Sequence, residues 1–211
     1  MSPVDRTFAV FASGQGTNFA ALATAAQRGE LGGRIAVLLC DRPGASALEK
    51  ARRLGIEALV LPVGRFRSRI EDERPWLDAL RERNVEIVLL AGFLRRLHEP
   101  LLSAYERRML NIHPSLLPSF PGLDAIRLAF ESGVKVTGCT VHLATAELDA
   151  GPIVAQQPVE IRDEDTEASL EARIHAAEHL LYPHAVRRFV SEPWHLEGPR
   201  LVFGAGAGAG R

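Results

Sequence analysis

The feature that most constrains the fold is a regular alternation of apolar runs and amphipathic segments. Apolar runs at 7–12, 34–40, 58–61 and 85–91 are separated by segments with helical spacing at 19–28, 44–54 and 69–82. Runs that are apolar throughout are typical of parallel strands buried on both faces. The alternation therefore predicts an α/β fold in which helices cover both faces of an open, mostly parallel sheet.

The second half of the chain departs from this strict alternation. Short helical pieces at 93–97 and 100–107 precede a strand at 109–112, and a helix follows at 122–132. The β-rich runs 135–143 and 153–161 are joined by a loop too short for a crossover helix, so these strands are predicted to be antiparallel. Thr166 is a suitable N-cap for a long helix that ends near residue 189, and 194–202 is predicted as a final strand.

Length and composition set limits on the class of protein. The 211 residues fit one domain over 1–203, and the Gly/Ala tail at 204–211 is expected to be mobile. A net charge of −1 and a pI of about 6.7 argue against a general nucleic-acid binder. No stretch is apolar enough for a signal peptide or a membrane span, which predicts a soluble, cytoplasmic protein. Cys40 and Cys139 lie in apolar runs and are expected to be buried free thiols.

A glycine-rich turn at 13–18, with the sequence Ser-Gly-Gln-Gly-Thr-Asn, lies between the first strand and the first helix. Its glycines let backbone N–H groups approach an anion, and the helix N-terminus adds a favourable potential. Phe19 stands where the dinucleotide fingerprint has its third glycine, and the turn has no Gly-Lys-Ser/Thr sequence. The turn is predicted to bind a single phosphate; the alternative is a tight turn in which Thr17 or Asn18 caps the helix.

Candidate catalytic groups lie at and after the strand at 109–112. Asn111 and His113 are two residues apart, so they point to the same face of a strand, which Pro114 should end. An amide N–H can hold a developing oxyanion, and an imidazole near neutral pH can donate or move a proton. Asp149, in the loop before Gly151, is suited to orient His113 or to accept a proton through water; the alternative is a carboxylate that caps its own turn.

The remaining histidines give weaker signals. His142 lies in an apolar strand and is interpreted as a buried core residue. His175 and Glu178 share a face of the long helix, where they are placed to contact a polar ligand. The order His-Ala-Ala-Glu-His at 175–179 differs from the zinc-protease pattern, so no metal site is predicted. No serine occupies a nucleophile elbow and neither cysteine has an evident base, so covalent catalysis is not expected.

Four segments together resemble the folate-dependent phosphoribosylglycinamide formyltransferase (glycinamide ribonucleotide transformylase) family. These segments are 13–18, 91–97, 111–122 and 138–153, and the resemblance extends over about residues 7–195. The third segment, which begins Asn-Ile-His-Pro-Ser-Leu-Leu-Pro, and the fourth are the most specific. The resemblance implies the formyltransferase variant of the doubly wound, Rossmann-like fold with an antiparallel C-terminal part. It also implies a phosphate-binding half at about 7–105 and a folate-binding, catalytic half at about 106–203.

The resemblance further implies roles for individual residues. The implied catalytic residues are Asn111, His113 and Asp149. The implied ribonucleotide-binding residues are Gly16, Thr17, Asn18, His175 and Glu178. A well-known member of the family has glutamine at the position of His175. The implied folate-binding residues are Arg69, Leu94, Arg95, Arg96, Leu97 and Asn111, and Ala150 replaces a glycine of the folate loop.

The activity implied by the resemblance is transfer of the formyl group of 10-formyltetrahydrofolate to the amine of glycinamide ribonucleotide in de novo purine synthesis. The amine attacks the formyl carbon directly, Asn111 and protonated His113 stabilise the tetrahedral intermediate, and Asp149 assists. The reduced folate is a cosubstrate and no metal is implied. The partners are small molecules, with no nucleic acid and no membrane, and a homodimer is a candidate assembly.

Four other functions are alternatives. A formyltetrahydrofolate hydrolase calls for an N-terminal regulatory domain, and methionyl-tRNA formylation calls for a C-terminal domain and a basic surface; neither is expected from this chain. A nicotinamide dehydrogenase would use Asp41, after the second strand, as the acid that binds ribose, but it leaves Asn111 and His113 unexplained. A non-catalytic phosphosugar-binding module would bind its ligand without turnover.

Overall fold

The computed structural model describes residues 5–66 and 68–204, which form two sheets, six helices and the loops that connect them. The strands are β1 (Arg6–Ala12), β2 (Gly33–Cys40), β3 (Glu57–Val60), β4 (Ile87–Leu90), β5 (Met109–His113), β6 (Val136–Leu143), β7 (Ile153–Glu160), β8 (Trp194–Glu197) and β9 (Arg200–Phe203). The helices are α1 (Thr17–Gln27), α2 (Ser46–Arg53), α3 (Arg74–Glu82), α4 (Glu99–Ala104), α5 (Ala125–Glu131) and α6 (Glu167–Ser191).

The main sheet has seven strands in the order β3-β2-β1-β4-β5-β6-β7. Strands β1 to β5 pair in parallel, whereas β6 runs antiparallel to both β5 and β7. The predicted doubly wound, mostly parallel α/β fold with an antiparallel C-terminal part is thereby confirmed. From β1 the chain winds outward to β3 and then returns to β4 on the other side of β1. Open α/β sheets bind ligands at such a switch point, beyond the carboxyl ends of the strands.

Helices cover both faces of the main sheet. Phe8 and Val10 of β1 are fully buried on the face covered by α1, α2 and α6, while Phe11 points to the opposite face, toward α3 and α4. On that second face the Phe11 ring packs against Trp76, with 5.0 Å between the ring centroids. Because both faces are covered, β1 is apolar along almost its whole length, as the sequence pattern indicated.

The long helix α6 is fixed to the strand ends that carry the polar residues. Its first turn is closed by a capping box, in which Thr166 and Ser169 exchange side-chain and backbone hydrogen bonds, so the predicted N-cap is confirmed. Further along, the buried Tyr182 hydroxyl lies 3.1 Å from the Leu90 carbonyl and 2.9 Å from the Leu110 carbonyl. One hydroxyl therefore ties α6 to both β4 and β5.

Three predicted elements are wrong in extent or type. The helix predicted at 69–82 begins only at Arg74, because Pro75 is tolerated in the first turn of a helix and not in its interior. Residues 93–97 are not helical: the Leu94 N–H donates to the Ser13 hydroxyl and the Arg96 N–H to the Ser68 carbonyl. The single strand predicted at 194–202 is the separate β8–β9 hairpin.

Three predictions concern the C-terminal tail, the division into domains and the absence of a membrane span. Apart from Gly204, the tail predicted to be mobile lies outside the described residues. The division into one domain with two functional halves stays a prediction. Among the described helices, none combines the length and the apolar character needed to cross a membrane.

Candidate active site

Asn111 and His113 project from the same face of β5, as their spacing predicted. In the antiparallel pairing of β5 with β6, Asn111 lies opposite His142 and His113 opposite Thr140. The His113 side chain is only 6% exposed, so its ring is enclosed by protein. The end of β5 therefore presents an amide and an imidazole side by side, with a second imidazole across the strand pair.

Asp149 reaches this pair from the loop between β6 and β7. Its Oδ2 atom lies 3.5 Å from Nδ1 of His113, and its Oδ1 atom lies 3.6 Å from Nε2 of His142. The Gly122 N–H donates to Oδ2 over 2.8 Å, which fixes the carboxylate. Asp149 has a φ of +52°, in the left-handed region that aspartate tolerates better than most residues. The structure thus brings the three predicted catalytic residues together.

Hydrogen bonds fix the orientation of the two rings. Nδ1 of His142 lies 3.0 Å from the Leu143 carbonyl, and its Nε2 lies 3.1 Å from the Asn111 amide nitrogen and 3.6 Å from Oδ1 of Asp149. The amide nitrogen of Asn111 keeps its second N–H for a ligand. Nε2 of His113 lies 2.9 Å from the Phe120 carbonyl while Nδ1 faces Asp149. The His113 ring therefore has Nε2 within hydrogen-bond distance of a carbonyl and Nδ1 next to a carboxylate but beyond hydrogen-bond distance of it.

The surroundings of Asp149 favour its charged form. Burial acts to raise the pKa of this carboxyl group, but the His142 ring, the Gly122 N–H and the charge of His113 hold the pKa below its usual range. Asp149 is therefore an ionised group, with a negative charge next to His113, over the whole neutral pH range.

The predicted phosphate turn has the geometry of an anion site. Gly16 precedes α1 with a φ of +68°, and no described side chain caps that helix. The N–H groups of the first turn, which begins at Thr17, are therefore not taken up by a side chain of the described residues. The Lys50 ammonium donates to the Gln15 carbonyl over 2.7 Å and places a cation beside the turn. Uncapped N–H groups and a nearby cation suit a phosphate.

Asn18 and His175 converge on Glu178, the buried carboxylate of α6. The Asn18 amide donates to Oε2 of Glu178 over 2.9 Å, and Nδ1 of His175 lies 2.8 Å from the same oxygen. No donor among residues 5–66 and 68–204 bonds to Oε1 of Glu178. The hydrogen bond from His175 to Glu178 is the largest influence on the His175 pKa and raises it, with Glu171 adding to the effect. All five predicted ribonucleotide-binding residues thus belong to α1 with its preceding turn and to α6.

Apart from Asn111 on β5, the predicted folate-binding residues lie on the loops before α3 and after β4. Arg69 and Arg96 form an isolated parallel bridge between these loops, and the Arg69 guanidinium stacks over the Phe66 ring at 4.1 Å. The side chain of Leu94 is exposed. The Arg95 guanidinium points inward and pairs with Asp41, with 2.6 Å between Nε and Oδ2.

Similarity to known proteins agrees with this geometry. A family model described as formyl transferase matches residues 6–186. The chain belongs to the formyl transferase family.

Comparison with individual formyl transferases identifies a more specific family. The chain is 40% identical to phosphoribosylglycinamide formyltransferase of Bacillus subtilis, over 88% of this chain and 95% of that protein. It is also 40% identical to the trifunctional purine biosynthetic protein adenosine-3 of Gallus gallus, over 87% of this chain and 18% of that protein. The glycinamide ribonucleotide transformylase 1 structure from Symbiobacterium toebii superposes with a TM-score of 0.90 at 43% identity, covering 94% of each chain. Membership of the phosphoribosylglycinamide formyltransferase family, and the prediction of an enzyme, are thereby confirmed.

A more distant structure shares the fold alone. A formyltetrahydrofolate deformylase from Pseudomonas syringae has a TM-score of 0.83 at 24% identity, and this formyl transferase covers 66% of it. Within the described residues, no group of three or more His, Cys, Asp and Glu side chains is arranged to hold a metal ion. The absence of a metal in the reaction stays a prediction.

The sequence did not reveal three further residues of the formyl transferase site. His142 is buried, as expected of a core residue, but it also contacts Asn111 and Asp149. Its position opposite Asn111 follows only from the register of β5 and β6. Lys50 reaches the glycine turn from α2, and no local pattern in the sequence marks it. Asp41, at the end of β2, fits a sequence pattern only as the ribose acid of the dehydrogenase alternative.

Proposed function

We propose that this enzyme transfers the formyl group of 10-formyltetrahydrofolate to the amine of glycinamide ribonucleotide. The observation that carries the proposal is the cluster of Asn111, His113 and Asp149 in a chain with an uncapped glycine turn beside the same sheet. The names of the similar proteins supply the substrate class, and the geometry supplies groups suited to it. We further propose a cytoplasmic enzyme with small-molecule partners only; a homodimer is compatible with these features.

The ribonucleotide is proposed to bind between α1 and α6. Its phosphate would accept hydrogen bonds from the backbone of Gly16, Thr17 and Asn18, and Lys50 would add a positive charge. Its ribose hydroxyls would donate to Oε1 of Glu178, because Asn18 and His175 already occupy Oε2. This arrangement supports a ligand with a phosphate at one end and a hydroxylated ring near Glu178.

The folate is proposed to bind along residues 94–97, with Arg69 near it. Leu94 and Leu97 would contact the pterin ring, while the exposed Arg69 and Arg96 suit the carboxylates at the other end of a folate. Arg95 contributes mainly through its backbone, since its side chain pairs with Asp41 inside the protein. Asn111 lies where the formyl group would meet the amine.

Three side chains are proposed to share the chemistry. The amine nitrogen bonds to the formyl carbon, and the carbonyl oxygen takes up the negative charge. The free N–H of Asn111 and the Nδ1–H of His113 would donate to that oxygen; Nδ1 is available because its distance of 3.5 Å to Asp149 is longer than a hydrogen bond. The negative charge of Asp149 lies beside His113 and stabilises its imidazolium form, and Asp149 accepts the amine proton through water. The carbonyl double bond then re-forms, the carbon–nitrogen bond to the folate breaks, and the folate nitrogen takes up the proton that Asp149 accepted.

The test is formyl transfer by His113→Ala and Asp149→Asn variants. Removal of an oxyanion donor typically lowers the rate about 10²–10³-fold, and we expect losses of that size in kcat with little change in ribonucleotide affinity. Asp163→Asn is the matched control, because Asp163 is an exposed carboxylate paired with Lys135 far from the cluster. Near wild-type turnover by both site variants would refute the assigned roles.

The same assay separates transferase from hydrolase activity. The purified protein is mixed with 10-formyltetrahydrofolate, and release of tetrahydrofolate is followed with and without glycinamide ribonucleotide. A transferase releases tetrahydrofolate only when the ribonucleotide is present. Release at the same rate without it would identify a hydrolase and refute the proposed acceptor.

A further inference from the structure

We propose that Asp41 is a positioning residue that sets the affinity for the folate, because it fixes Arg95 between the two loops that form the folate site. Asp41 follows β2 and touches neither proposed substrate. The inference rests on the proposed function, since it assigns a role to the site at 94–97.

The pair formed by Asp41 and Arg95 is enclosed by protein. The Asp41 side chain is 0% exposed and that of Arg95 is 12% exposed, and Nε of Arg95 donates to Oδ2 of Asp41 over 2.6 Å. A second arginine, Arg42, lies 3.9 Å from the same oxygen, but it is half-exposed and too distant for a hydrogen bond. Arg95 is therefore the group that neutralises this buried carboxylate.

The same guanidinium connects two loops. Its Nη1 atom donates to the Phe66 carbonyl over 3.3 Å, in the loop that carries Arg69. Next to it, the Arg96 N–H donates to the Ser68 carbonyl over 2.8 Å. The backbone on both sides of the folate site is thus held together at neighbouring residues, and Asp41 fixes the orientation of a side chain that spans the two loops.

In this arrangement the two adjacent arginines, Arg95 and Arg96, have different roles. The charge of Arg95 is balanced inside the protein by Asp41, so Arg95 holds the loops in place. The exposed Arg96 and Arg69 keep their charge at the surface, where a folate carboxylate would lie. Loss of Asp41 would remove the carboxylate that orients Arg95 and so loosen the connection between the loops, without touching Asn111 or the ribonucleotide site.

The test is direct titration of a non-reactive folate analogue into the wild type and into Asp41→Ala, Arg95→Ala and the double variant. Loss of a charge-assisted hydrogen bond predicts that Asp41→Ala raises the folate Kd roughly tenfold to a hundredfold. The KM for the ribonucleotide and kcat at saturating folate should stay within about threefold. If Asp41 acts through Arg95, the Asp41→Ala change should have little further effect in the Arg95→Ala background.

Two further variants complete the experiment. Asp78→Asn, an exposed carboxylate of α3 paired with Arg81, should leave the folate Kd unchanged. Asp41→Asn retains one acceptor and should give an intermediate Kd; this variant decides the question if Asp41→Ala does not fold. A folded Asp41 variant with a wild-type folate Kd, or an equal loss of affinity for both substrates, overturns the inference. If the wild type itself binds no folate, the proposed function and this inference both fail.

Discussion

Replacement of Gly16 by alanine should disrupt the phosphate turn in a way that the structure makes quantitative. Gly16 has φ +68° and ψ +34°, a left-handed conformation that costs an L-residue about 1–2 kcal/mol. A Cβ atom there would lie 2.6 Å from Cβ and 2.8 Å from Cα of Ala47, so either the turn or the backbone of α2 must move. Overpacking of this kind typically costs about 1–3 kcal/mol. We expect a total loss of about 2–5 kcal/mol, or a fall in Tm of roughly 5–20 °C for a protein of this size.

The matched control for Gly16→Ala lies two residues away. A Cβ atom on Gly14 would meet nothing within 4 Å, and Gly14 does not have a positive φ. Thermal unfolding followed by circular dichroism should therefore show a large fall in Tm for Gly16→Ala and almost none for Gly14→Ala. The KM for the ribonucleotide should rise in Gly16→Ala. Equal Tm values for the two variants would refute the steric and conformational argument.

Two further predictions concern groups whose pKa is shifted. The raised pKa of His175 means that its charged contact with Glu178 is complete below about pH 6.5 and is lost as the pH rises through the higher value in the folded protein. The KM for the ribonucleotide should therefore rise with pH in the wild type. A His175→Gln variant keeps an N–H donor but does not titrate, so its KM is the reference at each pH. A ratio of the two KM values that does not depend on pH would contradict this prediction. Burial raises the pKa of Cys139 to about 12, so this thiol should resist alkylation at pH 8 until the protein is unfolded, as mass spectrometry of the labelled protein can show.

Much of the fold is predictable because its signals are local. Apolar runs identified the strands of the main sheet, and the N-cap preference of Thr166 located the start of α6 within the sequence. The late start of α3 could also have been predicted, since proline favours the first turn of a helix over its interior. The lack of a helix at 93–97 could not be predicted from the sequence, because it depends on hydrogen bonds to Ser13 and Ser68, which are distant in the sequence.

In the candidate site, too, the contacts that could be predicted are those with a local signal in the sequence. The shared face of Asn111 and His113 follows from strand periodicity alone. The approach of Asp149 to His113 depends on the left-handed conformation of Asp149 and on the N–H of Gly122, in two loops that no short motif connects. For these contacts the family resemblance indicated the residues, and only the folded chain supplied the distances between them.

The contact between Asn18 and Glu178 has a consequence for biosynthesis. These residues are 160 positions apart, and one belongs to the first helix while the other belongs to the last. A chain still emerging from the ribosome, or one truncated after β7, would hold the glycine turn and β5 but would lack the Glu178 carboxylate that Asn18 contacts. The proposed sugar site is therefore complete only after the final helix has been synthesised and has docked.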